Sequence, residues 1–187
     1  MGDSDRRLTP EWLLEPVREF FGGAIPFDCC TEASNPTCAG HFCSLEADDP
    51  SFINGGLRAG SNGLAIDWNE LEGTWVQPPF SNMNAWVAKA VAEANHGAEI
   101  LFLSRADVRT KWFRLLADNC DMRCNINRSV GFKEALPDGS LKQLSGDFYG
   151  YCIWYFGRRR RRFERLFSPL GEVLAGRGLM EIEEAAQ

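Results

Sequence analysis

The sequence predicts an α/β fold, an open and mainly parallel sheet with flanking helices. Three observations predict it. Strand-like and helix-like segments alternate from about residue 20 to residue 115, the pattern of a sheet built by crossover connections. The run "AEILFLS", residues 98–104, is apolar throughout and bounded by turns, as a strand covered on both faces requires. The chain has 187 residues, 44% hydrophobic and 25% charged, enough for a sizeable core and ordinary for a globular domain.

Taken in order, the first element is a helix. Thr9 is a suitable N-cap, Pro10 suits the first helical position, and Trp12, Leu13, Val17, Phe20 and Phe21 recur at helical spacing before Gly22-Gly23 stops the run. "AIPFD" then reads as a short buried strand ending at Asp28. Residues 29–63 carry little regular pattern and are rich in Pro and Gly; a stretch of this length suits a functional or covering segment. "GLAIDW" and "GTWVQ" read as two strands, "NAWVAKAVAEANHG" as an amphipathic helix stopped at Gly97, and "RTKWFRLLADNC" as another helix. "MRCNINR" and "YGYCIWYFG" read as later strands. The division expected is a main domain over 1–157 and a tail over 158–187, basic then acidic, helical in two pieces broken near Pro169.

Charge and cysteine usage narrow the function classes. The net charge is −6, so contact with a polyanion must come from a local patch rather than from the whole surface. The run Arg158–Arg162 is one candidate; the bland alternative is a solvated charge run. No apolar stretch reaches the roughly 18 residues a membrane span needs, and the first residues are polar, so a cytoplasmic protein is expected. Seven cysteines read as reduced thiols. Cys29, Cys30, Cys38 and Cys43, with His41 among them, raise zinc as an alternative, but no C-x-x-C pair is present. Neither a nucleophile triad nor a phosphate loop is supported.

The stretch most suggestive of chemistry is "WVQPPFS", residues 75–81. Each proline fixes its own φ and restrains the residue before it, so Pro78 and Pro79 make a stiff bracket at a strand end. The bracket presents the Gln77 side chain, the Pro78 carbonyl and the Phe80 ring. Two acceptors and a flat ring suit a planar base with an exocyclic amine: the acceptors grip the amine hydrogens and offset charge that grows on nitrogen, while the ring stacks on the base. A duplex base must be flipped out to enter. In an open α/β sheet, ligands bind beyond the carboxyl ends of the strands, so Asp28 and Gln77 are expected to face one cleft.

In these residues the chain resembles the amino-methyltransferases that use S-adenosylmethionine, and more narrowly the small phage-encoded DNA N6-adenine methyltransferases. The resemblance covers roughly residues 8–157. It rests on an ordered set: "LTPEW", "FDCCTEASNPTC", "NGLAIDW", "WVQPPFS", "AWVAKA" and "SRADVRTKWF". It implies a Rossmann-like methyltransferase fold with S-adenosylmethionine as cofactor and DNA as partner. Thr9, Pro10, Asp28 and Asn62 would then bind the cofactor. Gln77, Pro78, Pro79 and Phe80 would hold the target adenine, with no metal required. Arg105, Arg109, Lys111 and Trp112 would face DNA, with Arg158, Arg159 and Arg160 as a further basic patch. Two departures stand out: the family has Asp or Asn where this chain has Gln77, and Asp where it has Asn62. The departures leave open a non-catalytic derivative that binds DNA or a host protein, and a different amine acceptor such as cytosine N4.

Overall fold

The computed structural model describes residues 7–32, 34–44, 56–135, 141–144 and 149–176. Among them, eight strands form one sheet and two form a separate hairpin. In chain order the elements are α1 (Glu11–Phe21), β1 (Phe27–Asp28), β2 (His41–Cys43), β3 (Leu57–Gly60), β4 (Thr74–Val76), α2 (Met83–Asn95), β5 (Ile100–Arg105), α3 (Lys111–Asn119), β6 (Met122–Ile126), β7 (Lys133–Ala135), β8 (Leu141–Gln143), β9 (Tyr151–Phe156), α4 (Arg160–Phe167) and β10 (Gly171–Ala175). The sheet order is β10-β6-β9-β5-β4-β1-β2-β3. From β3 to β5 every neighbouring pair is parallel, whereas β9 runs antiparallel between β5 and β6, and β10 runs antiparallel on β6.

The pleat explains the layering. Along β5, Leu101 and Leu103 join one apolar cluster with α1 and α4, while Ile100 and Phe102 join the other with α2 and α3. Alternate side chains of a strand point to opposite faces, so the sheet is covered on both sides. Each helix contributes one stripe: Leu13, Leu14, Val17 and Phe20 on α1, and Phe163 and Phe167 on α4. This is the Rossmann-like methyltransferase architecture, α/β with a mainly parallel open sheet. No described helix is long and apolar enough to cross a membrane.

Several local expectations need correction. Thr9 does not cap α1; Pro10 takes the N-cap position and the helix begins at Glu11. A proline φ is already compatible with the cap and has no N–H to satisfy, which leaves the Thr9 hydroxyl for another use. "GLAIDW" is not a strand. The Asn62 side chain accepts from the Leu64 N–H, Gly63–Ala65 forms a 3₁₀ turn, and the Trp68 indole donates to the Gly63 carbonyl at 2.9 Å. Such local side-chain bonds compete with a ladder. Strands β2 and β3 fall in the stretch read as irregular, because both are short and edge-ward. The second piece of the tail is not helical over Gly171–Ala175: it is β10, paired with β6. Gly171 permits this, since a Cβ there would stand 1.9 Å from the Asn125 carbonyl oxygen. Its remaining residues, 177–187, lie outside the described ones, as do 45–55 of the suggested cover.

Candidate active site

Parallel strands end on one edge, and that edge carries the cleft. Asp28 ends β1, Gln77 follows β4 directly, and Arg105 ends β5. A cleft of about 380 Å³ opens there, lined among others by Thr9, Asp28, Asn62, Gln77, Pro79 and Trp86. Five of the eight residues singled out for cofactor or base thus line one space. Pro10, Pro78 and Phe80 flank it.

Asp28 is 2% exposed. Its carboxylate accepts from the Thr37 hydroxyl at 2.7 Å and from the Cys30 N–H at 3.2 Å. Burial pushes its pKa up to about 6, and the bonds from Thr37, Cys30 and Thr31 keep it from rising further. The loop that brings Thr37 in is shaped by Asn35, whose amide bonds both the N–H and the carbonyl of Ala39 at 3.0 Å. Gly63 seats the neighbouring turn: a Cβ at that position would meet the Cys29 carbonyl oxygen at 1.9 Å. Only glycine lets Asn62 approach the end of β1 so closely. The Thr9 hydroxyl oxygen is buried and has no hydrogen-bond partner, a polar group whose desolvation calls for a ligand.

Gln77 is held from the other side. Its Nε2 donates to the backbone carbonyl of Arg7. A carbonyl cannot donate, so this bond assigns the amide and leaves Oε1 as an acceptor. Arg7 belongs to the segment that pairs with the hairpin, where the Leu8 N–H donates to the Lys133 carbonyl at 2.8 Å. Phe80 packs near Phe132 and Tyr151, and the Arg105 guanidinium lies 4.4 Å from its ring centre.

The basic residues separate into two groups. Arg105, Arg109, Lys111 and Trp112 lie at or just beyond the C-terminal end of β5, on the cleft edge. Arg109 is bonded to Asp107 at 2.9 Å, Lys111 is exposed, and Trp112 packs edge-on to Phe113. Arg158, Arg159 and Arg160 stand at the opposite edge. β9 is antiparallel to β5, with Tyr151 opposite Arg105 and Phe156 opposite Ile100, so the run that follows β9 leaves the sheet away from the cleft. Two of these arginines have structural partners: Arg159 ion-pairs with Glu99 and donates to the Phe20 carbonyl, and Arg160 pairs with Asp121 at 2.8 Å. Arg159→Ala is expected to lower stability by about 1–2 kcal/mol in urea unfolding, since a half-exposed pair is partly screened. An unchanged midpoint would sink the structural role.

None of the seven cysteines is paired in a disulfide. Burial pushes Cys120, Cys124 and Cys152 up to about 12 and Cys29 well above its ordinary value. Cys29 and Cys30 are 3.8 Å apart at sulfur, and no metal-ligating group of three or more His, Cys, Asp or Glu occurs among the described residues.

Residues 2–156 match the family described as DNA N-6-adenine-methyltransferase (Dam). The chain belongs to this Dam family. A curated relative, the DNA N-6-adenine-methyltransferase of Escherichia phage T1, is 26% identical over 91 residues, covering 46% of this chain and 38% of the phage protein. Within this Dam-family chain, two lining residues, Thr37 and Arg7, and one neighbour of the cleft edge, Tyr149, were not evident from the sequence. Thr37 carries no signal except that it lies nine residues beyond Asp28. Arg7 acts through its backbone, which no side-chain pattern reveals. Tyr149, 46% exposed, faces Arg105 from a loop far along the chain.

Proposed function

We propose that this chain transfers a methyl group from S-adenosylmethionine to N6 of an adenine in DNA, with the base flipped into the Gln77-Pro78-Pro79-Phe80 loop. The observation that carries the reading is the convergence on one cleft of a buried carboxylate, Asp28, and an anchored amide, Gln77. The cleft suits the cofactor: the Thr9 hydroxyl is buried without a hydrogen-bond partner, and the buried Asp28 carboxylate, held by Thr37 and Cys30, has lone pairs to spare for a polar ligand. Asp28 would accept from its hydroxyl or ammonium groups, Thr9 would bond to it, and Asn62 would lie against its adenine. When bound, the cofactor supplies a methyl group on a positively charged sulfur.

The protein's part is positioning and charge placement. Gln77 Oε1 and the Pro78 carbonyl accept the two amine hydrogens of the base. They draw the nitrogen toward a pyramidal shape and offset positive charge as it develops. Pro78 and Pro79 stiffen the loop so that both acceptors stay in place. Arg109 and Lys111, on the same edge, would meet phosphates. A DNA substrate and free thiols fit a cytoplasmic setting.

Asp28 gives the reading a pH signature. If its ionised form holds the cofactor, affinity falls about tenfold per pH unit below about 6 and levels off above it. Titration calorimetry with S-adenosylmethionine from pH 5 to 8 measures this; a flat profile would remove Asp28 from the site. The reading as a whole is tested by calorimetric titration with S-adenosylmethionine, followed by tritiated-methyl transfer to unmethylated DNA. Binding with transfer supports it. Binding without transfer favours another acceptor or a binding role, and no binding overturns it.

A further inference from the structure

Arg105 occupies an unusual position for a charged residue. Its guanidinium carbon is 4.4 Å from the ring centre of Phe80 and also 4.4 Å from that of Tyr149. Its Nε is buried and lacks a hydrogen-bond partner. Arg18, Arg109, Arg159, Arg160 and Arg165 each pair with a carboxylate, whereas no described carboxylate pairs with Arg105. Two aromatic faces therefore hold this flat cation in place, with no counter-ion among the described residues.

That arrangement has two consequences. A guanidinium is planar and delocalised, and it stacks on rings as a base does. The Phe80 face that it covers is therefore closed to a base while it stays. Its unsatisfied Nε also makes this state imperfect, and at the cleft edge the missing counter-ion has an obvious source in a DNA phosphate.

We propose that Arg105 and the target base exchange places: in the free protein Arg105 fills the slot between Phe80 and Tyr149, and on DNA binding it swings out to a phosphate while the base takes the slot. This rests on the reading given above for the Gln77 loop. It adds Tyr149 as the second wall of the base site, and it makes base capture conditional on a phosphate being in reach.

The test separates the two roles of Arg105. The probe for the slot is 2-aminopurine deoxyribonucleoside, which has no phosphate and whose fluorescence is quenched on stacking. The probe for the outward state is unmethylated duplex DNA, with affinity measured against salt. Arg105→Ala should bind the nucleoside about threefold to tenfold more tightly, because its competitor is gone. It should bind DNA more weakly, with a salt slope smaller by about one. Arg105→Lys keeps charge without a planar face, so it should restore the salt slope while keeping part of the nucleoside gain. It also carries the test if the alanine variant fails to fold. Nucleoside binding that weakens or stays level in both variants overturns the exchange. If wild type still transfers methyl groups to DNA in that case, the function stands and only the exchange falls. If wild type neither transfers methyl nor quenches the nucleoside, the functional reading falls first.

Discussion

Gln77→Ala is expected to cut methyl transfer by about 100-fold or more while leaving cofactor affinity close to wild type. The loss should appear in kcat, because the acceptor acts on charge that exists only as the reaction proceeds. The anchor on the Arg7 carbonyl sharpens the series. Asparagine keeps both amide functions but is one methylene shorter, so it cannot serve the Arg7 carbonyl and the base from the same place; it should be intermediate. Glutamate keeps an acceptor but loses the donor and sets an anion against a carbonyl, so it should fall near alanine. Single-turnover transfer with a fixed DNA substrate reads all three. Equal rates for alanine and wild type would rule out the acceptor role.

Asp28→Asn should separate binding from stability. Cofactor affinity should fall by about 10- to 100-fold, the scale of a lost charge-assisted hydrogen bond. The ligand-free protein should nevertheless become more stable at pH 8. The sign follows from the raised pKa of about 6 against an ordinary 3.8. Between those values the folded state holds a proton that the unfolded state has lost, so stability falls as pH rises through the window, and above about 6 the full cost persists. That cost is about 3 kcal/mol, about two pKa steps. Removing the charge removes the cost and flattens the profile between pH 4 and 6. Thermal unfolding with and without S-adenosylmethionine measures both effects. A variant that is less stable at pH 8 would mean that Thr37 and Cys30 already compensate the buried charge in full. A group that costs stability in the free protein is a natural place for a ligand to act.

The sheet was readable because its central strands are strong signals. "AEILFLS" and "YGYCIWYFG" are apolar enough to be covered on both faces, and both lie in the middle of the sheet as β5 and β9. Asp28 and Gln77 were readable because the ends of parallel strands meet on one edge. The edges of the sheet were less legible. β2 and β3 are three and four residues long, too short to show a period. β10 depends on a close backbone approach at Gly171, which only the folded partner reveals. Composition alone did not place the arginine run: five like charges suggested a polyanion surface, and the direction of β9 puts them at the edge away from the cleft, where Arg159 and Arg160 meet Glu99 and Asp121. Arg105 was expected on the DNA side from the family resemblance, but its two aromatic walls come from residues 25 and 44 positions away in the chain.

The most direct measurement of the central claim is the identity of the methylated product. Unmethylated duplex DNA is incubated with the protein and S-adenosylmethionine, digested to nucleosides and resolved by mass spectrometry, with Gln77→Ala alongside. The account predicts N6-methyldeoxyadenosine from wild type and little or none from the variant. Methylcytosine as the product, or no methylated nucleoside from a wild-type preparation that binds the cofactor, would contradict it.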